Sequence, residues 1–338
     1  MAFRPAWWLP GGHLQTLWPA LLRRPPSVAM RRERLELADG DFLDLDWAVA
    51  VPDEGPIVVL LHGLEGGRES HYPAGLMQAL AAQGMRPVLM YHRGCSGEPN
   101  RSHRRYTGGD TGDLAAVVAH LGQAHPAAAL GAVGFSLGGN ILLKWLGETG
   151  DGNPLSAAVA VSPPFRLDRA ADRLEQGLSR LYQRHLLASL RRAIQSKYRD
   201  RPETCPVPLP ELDRMGTFRD FDDRFTGPVH GYAGADDYYN RCSSRPFLST
   251  IAVPTAVIHA LDDPFTTPDA VPDPGDVSPA VALEIYRRGG HVGFVAGAVP
   301  FRPRYWLEER IPKLLAGHLP ADSGEAVETV ADRAPKAG

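Results

Sequence analysis

The chain has 338 residues, 43% hydrophobic and 22% charged, with 36 Lys and Arg against 39 Asp and Glu for a formal net charge of -3. That balance excludes a global basic field, so nucleic acid is not expected as the main partner, and the apolar content is ample for a buried core. Three cysteines, Cys95, Cys205 and Cys242, are too few and too scattered for a disulfide framework or a thiolate metal site, and they suit a reducing compartment.

Residues 1–18 lack a continuous apolar core and are broken by Pro5, Pro10 and the Gly11-Gly12 pair, so no secretory signal is expected. No apolar run reaches membrane-spanning length, and the expected location is cytoplasmic. Residues 1–32 form an aromatic-rich strap in which Trp7, Trp8 and Trp18 join Leu14 and Leu17. Such a cluster can pack across the domain as core, line an acyl pocket or make transient contact with a membrane surface. Residues 34–38 and 42–49 then alternate apolar and polar around Asp39-Gly40-Asp41, which predicts an antiparallel hairpin.

Strand and helix patterns follow in turn: strands at 57–62, 87–91, 130–135 and 157–161, with helices at 74–83, 113–121 and 140–146 between them. This alternation predicts an α/β fold, a mostly parallel central sheet with helices on both faces. The rhythm breaks over 164–231, where an Arg-rich helical stretch at 167–199 precedes Pro-rich 202–210, as expected of an inserted helical cap. The core would then comprise 33–163 and 232–318, with strands resuming at 255–260 and 282–286 and a closing helix at 304–318. Residues 319–338 lack apolar periodicity and are expected to be disordered.

The most informative motif is Gly134-Phe135-Ser136-Leu137-Gly138, placed between the third parallel strand and a helix. A serine at such a sharp turn is a nucleophile elbow, and its glycines relieve crowding two residues either side. A serine hydroxyl needs a base, and the base an orienting acid. Strand 255–260 runs into Leu261-Asp262-Asp263-Pro264, where Asp263 is the preferred acid because it lies further into the loop before a stiffening proline, with Asp262 as the alternative. Strand 282–286 runs into Gly289-Gly290-His291, making His291 the candidate base. The loop His62-Gly63-Leu64-Glu65-Gly66-Gly67 after the first parallel strand is suited to an oxyanion hole, with the Leu64 and Leu137 amides as donors. His62 and Gly63 would support that loop. Arg93, in Arg93-Gly94-Cys95-Ser96-Gly97, either contacts substrate or pairs with a carboxylate beneath the nucleophile.

These stretches, together with Trp7-Trp8-Leu9, Gly12-His13-Leu14-Gln15-Thr16, Asp236-Asp237-Tyr238-Tyr239 and Gly290-His291-Val292-Gly293-Phe294, resemble the YheT-like branch of the α/β-hydrolases. That branch includes plant embryogenesis-associated proteins and mammalian hydrolase-domain phospholipases. The resemblance runs from about Pro5 to His318, and it implies an α/β-hydrolase fold, a Ser136/Asp263/His291 triad and carboxylester hydrolysis. His92 departs from it, since relatives often carry Asn-Phe or a similar pair there.

The expected function is a serine hydrolase of small-molecule or lipid esters, working through an acyl-enzyme without cofactor or metal. Acyl transfer, thioester cleavage and phospholipase activity use the same triad, and a ligand-binding receptor on a hydrolase fold is the non-enzymatic alternative. Adjacent Asp236 and Asp237 without histidine at ligand spacing do not make a metal site. Arg180, Arg184, Arg191, Arg192 and Lys197 in the cap suggest a preference for anionic lipids or acyl phosphates if they face the substrate. Oligomeric state is not legible.

Overall fold

A computed structural model describes residues 2–49, 51 and 54–319. Its centre is an eight-stranded sheet in the order β1-β2-β4-β3-β5-β6-β7-β8. The strands are β1 (Met30–Glu36), β2 (Phe42–Ala48), β3 (Ile57–Leu61), β4 (Arg86–Met90), β5 (Leu130–Phe135), β6 (Ala157–Val161), β7 (Thr255–Ala260) and β8 (Val281–Tyr286). Strand β2 is antiparallel to β1 and β4, and from β4 to β8 every pairing is parallel. A two-stranded ribbon, β9 (Val295–Ala296) with β10 (Arg304–Tyr305), sits apart.

The parallel strands are short apolar runs because both of their faces are covered. In β3, Ile57, Val59 and Leu61 enter one apolar cluster, while Val58 and Leu60 enter the other. The first cluster packs against α3 (Thr111–Ala124) and α4 (Leu137–Thr149) and continues into the helices between β6 and β7. The second is covered by α2 (Pro73–Ala81) and the last helix, Trp306–Ala316.

The hairpin extends further than its alternating residues suggest, because cross-strand ion pairs carry its outer part. Arg34 faces Asp44 and Arg32 faces Asp46, each through two hydrogen bonds of 2.8 and 3.0 Å. Pairing lets both aspartates sit at 2% exposure or less in a strand buried along its whole length.

Between β6 and β7 the chain is helical: α5 (Leu167–Leu174), α6 (Ser179–Lys197), short turns at Leu209–Leu212, Phe218–Phe221 and Gly227–His230, and α7 (Ala235–Cys242). Ahead of the sheet, Gly12–Leu22 forms helix α1 despite Pro19 inside it. Gln15, Thr16 and Pro19 are buried beneath it. No helix of the described residues is long and apolar enough to cross a membrane. Leu319, placed at the head of the expected disordered tail, is instead 1% exposed and packed in the second cluster. Residues 320–338, the rest of that expectation, lie outside the described residues.

Buried His259 and partly buried His71 set an acid limit. Burial lowers the pKa of His259, on β7, to about 4, and burial with the nearby Arg23 charge lowers that of His71 to about 3. Below pH 6.5 the unfolded chain takes up protons that the folded chain refuses, so stability is full above 6.5 and is lost progressively as pH falls toward 4. His259 alone should cost about 3 kcal/mol across that window. Urea midpoints at pH 7.5 and 4.5 should therefore drop less for His259→Leu than for the wild type; equal drops would refute the assignment.

Candidate active site

The site is built at the C-terminal edge of the parallel sheet, where β3, β5 and β7 end. Strand β5 turns into α4 at Ser136, whose φ of +50 is rare for a residue with a side chain. The turn is so tight that a Cβ on Gly134 would lie 2.4 Å from the Gly138 carbonyl, and one on Gly138 would lie 2.6 Å from the carbonyls of Leu61 and His62. The Ser136 amide bonds to the Val161 carbonyl at 2.9 Å, fixing the elbow to β6.

Ser136 Oγ lies 2.9 Å from His291 Nε2, and His291 Nδ1 lies 2.8 Å from Asp263 Oδ2. A carboxylate only accepts, so Nδ1 carries the proton and Nε2 is left to accept from the serine. Such a relay can draw off the hydroxyl proton as the oxygen attacks a carbonyl carbon. Burial pushes the Asp263 pKa up, but the His291 charge and hydrogen bond outweigh it and hold the carboxyl below its ordinary value. Its other oxygen accepts from the Phe265 amide at 2.8 Å, and the Phe265 ring stacks on His291 with centroids 3.9 Å apart.

The two adjacent aspartates divide the work. Asp262 turns away from the imidazole, and its Oδ1 accepts from the Gly289 and Gly290 amides at 2.8 and 2.9 Å. It braces the loop that carries His291.

The loop after β3 lies against the nucleophile: a Cβ on Gly63 would sit 3.2 Å from Ser136 Cβ. Tyr72 Oη accepts from the Gly63 amide at 2.9 Å, Tyr106 Oη from the Glu65 amide at 2.7 Å, and the Gly63 carbonyl from the Gly66 amide at 3.0 Å. Among the described residues, the Leu64 and Leu137 amides have no backbone or side-chain acceptor.

His62 is fully buried, and burial, then the nearby His92, holds its pKa well below the ordinary value. Its Nδ1 donates to the Gly63 carbonyl at 2.7 Å, and its Nε2 accepts from the His92 amide at 3.1 Å. The unexpected His92 completes the bracket, donating from Nε2 to the His62 carbonyl at 2.9 Å and stacking on Tyr106. Arg93 does not line the cavity; it grips Asp113 at 2.7 and 2.8 Å and reaches Asp39 and Asp41. Burial opposes its charge, but Asp113 and Asp39 more than offset this and raise its pKa.

Ser136 opens into a cavity of about 840 Å³ beneath α5 and α6. Its wall includes Leu174, Leu186, Leu190, Ile194, Phe221 and Phe225. The five basic residues of α6 singled out above are absent from that wall. Lys197 bonds to Asn100 Oδ1 at 2.7 Å, Arg192 to Ser189 at 2.9 Å, and Arg191 to the Met215 carbonyl. Asp236 and Asp237 are engaged by Arg219 and Arg241, while Tyr238 and Tyr239 join the cavity wall.

Sequence reasoning weighed the segment of α1 as core, acyl-pocket lining or membrane contact but gave Gln15 and Thr16 no role, yet the structure ties both to the histidine loop. Thr16 Oγ1 accepts from the His291 amide at 2.8 Å and donates to the Gly12 carbonyl at 2.7 Å. Gln15 Oε1 accepts from the Val295 amide at 2.8 Å. The motif 12–16 was visible, but nothing local in it signals a partner some 275 positions away. Trp8 and Trp18 stack edge to face at 4.7 Å with Phe301 beside them, whereas Trp7 is 70% exposed.

Known proteins resemble this chain over most of its length. Residues 56–298 match the alpha/beta hydrolase fold family. YheT of Escherichia coli, named provisionally as an esterase, is 44% identical over 313 residues, covering 92% of each chain. Human phospholipase ABHD3 is 31% identical over 311 residues, covering 90% of this chain and 76% of its own. Among solved structures, the Pyrococcus furiosus esterase Pf2001 superposes with a TM-score of 0.56 at 17% identity, over 88% of this chain and 98% of its own, a likeness of fold. Extent of match, fold and elbow together make this chain a member of the α/β-hydrolase family, in the branch that contains YheT.

Proposed function

We propose that the protein hydrolyses carboxylic esters of apolar acyl chains, with Ser136 as nucleophile, His291 as general base and acid, and Asp263 as the group that orients His291. The observation that carries this is the Ser136–His291–Asp263 relay, at 2.9 and 2.8 Å, opening into a largely apolar cavity. Ser136 Oγ adds to the acyl carbonyl as its proton passes to His291 Nε2, and the Leu64 and Leu137 amides hold the resulting oxyanion. Collapse expels the alcohol, which takes the proton from His291 and leaves Ser136 acylated. Water, deprotonated by the same imidazole, releases the acid. An alcohol in place of that water would give acyl transfer, so product analysis with added ethanol separates the two outcomes.

The cavity wall supports selection by chain length. Turnover of p-nitrophenyl esters from acetate to palmitate should pass through an optimum. Leu186→Trp, which fills space beneath α6, should move that optimum to shorter chains while acetate hydrolysis changes by only a few-fold, about 1 kcal/mol. An unchanged chain-length profile would place the acyl group outside this cavity.

A further inference from the structure

Side chains that both line a cavity and stand exposed mark its mouth. Leu17 and Leu21 on α1, and Leu178 and Leu181 at the head of α6, meet both conditions, at 36%, 73%, 62% and 59% exposure. The two elements touch there: His13 Nδ1 lies 3.0 Å from Tyr182 Oη, and the rings stack. Leu14 and Leu22, 45% and 62% exposed, extend the apolar rim along α1. A contiguous apolar patch continuous with a site is a surface that binds something.

Charge around the rim indicates what. Arg24 follows the end of α1, and Arg180 and Arg184 flank Leu181 one turn apart. All three are exposed, and among the described residues none has a carboxylate partner. Arg166, Arg219, Arg241 and Arg304, by contrast, each meet an acidic side chain. Glu69 on the cavity wall is already beside Arg68, so against the exposed Glu175 the rim carries net positive charge. Leucines among unpaired arginines on helices are the composition of an interfacial surface facing anionic lipid.

We propose that this rim docks the protein on an anionic lipid surface, with α1 and the head of α6 seated among the headgroups and the cavity mouth facing the bilayer. The proposal deepens the ester-hydrolase reading by making lipid-borne esters the substrate pool. Each arginine near such a surface should raise the binding constant about fivefold.

The test is co-sedimentation of the full chain with vesicles of phosphatidylcholine alone and of phosphatidylcholine with phosphatidylglycerol, alongside hydrolysis of soluble p-nitrophenyl butyrate. The variants are Leu22→Asp and Arg180→Glu/Arg184→Glu, at positions outside the cavity wall. The wild type should pellet with the anionic vesicles and be released by 0.5 M salt, in keeping with screening over about 3 to 10 Å. The double variant should bind about 25-fold less or weaker still, and both variants should hydrolyse the soluble ester as the wild type does. Wild type that stays in solution, binds both vesicle types equally, or binds no better than the variants overturns the proposal. So does a dimer by light scattering that Leu22→Asp dissociates, since a second copy would then cover the rim. Absent hydrolysis of any soluble ester would instead strike at the catalytic reading and leave the vesicle result standing.

Discussion

Ser136→Ala should reduce ester turnover by about 10⁶-fold, the scale of loss when a triad serine is removed. The substitution keeps the fold, because the elbow is held by backbone: the Ser136 amide on Val161, the Asn140 amide on the Ser136 carbonyl, and the glycines either side. Alanine at φ +50 carries no greater strain than serine there. The same variant should no longer take up a fluorophosphonate, read as the missing mass adduct on the intact protein. Retained activity would mean that another nucleophile carries the reaction, and the relay would lose its assigned role.

A second expected result separates two neighbours in sequence. Asp263→Asn should lower kcat by about 10⁴-fold, because an amide facing Nδ1 forces the proton onto Nε2 and removes the acceptor for the serine hydroxyl. Asp262→Asn should cost less than about tenfold, since its amide oxygen can still accept from Gly289 and Gly290 and only charge is lost. Circular dichroism and melting temperature on both variants would show that the proteins remain folded. Were Asp262→Asn the silent one and Asp263→Asn equally mild, the acid would have to come from elsewhere; were the order reversed, the two roles would exchange.

The legibility of the chain follows from where its information is local. Strands β5, β6 and β7 appear at the residues expected because each is a short, mostly apolar run bounded by turn formers, broken in β7 only by Thr255 and His259, a pattern that suits a fully buried parallel strand. Ser136 was visible for a similar reason, since the tightness of its own elbow forbids a side chain at Gly134, while the neighbouring Leu61 and His62 carbonyls forbid one at Gly138. Helix α1 was not legible. Gly11-Gly12 and Pro19 oppose a helix locally, and it forms because Gln15 and Thr16 meet Val295 and His291. The brace made by Asp262 was hidden too, because choosing between adjacent carboxylates needs the direction each side chain takes as it leaves β7. The basic residues of α6 were legible as a charged face, but the side of the cap on which they lie depends on how the helix rolls over Leu186, Leu190 and Ile194.

The bond between Thr16 and His291 also bears on how the protein is made. During synthesis α1 leaves the ribosome well before the loop that receives it, which is encoded some 275 residues later. At about 5 to 20 residues per second, that is roughly 15 to 55 s in which Leu9, Trp8 and Trp18 lack Val295, against which they pack in the folded protein. The nascent chain thus presents an aromatic-rich segment to chaperones or to other chains for most of its elongation. Codon changes that slow translation between β2 and β8 should therefore raise aggregation more than equal delays placed after residue 300.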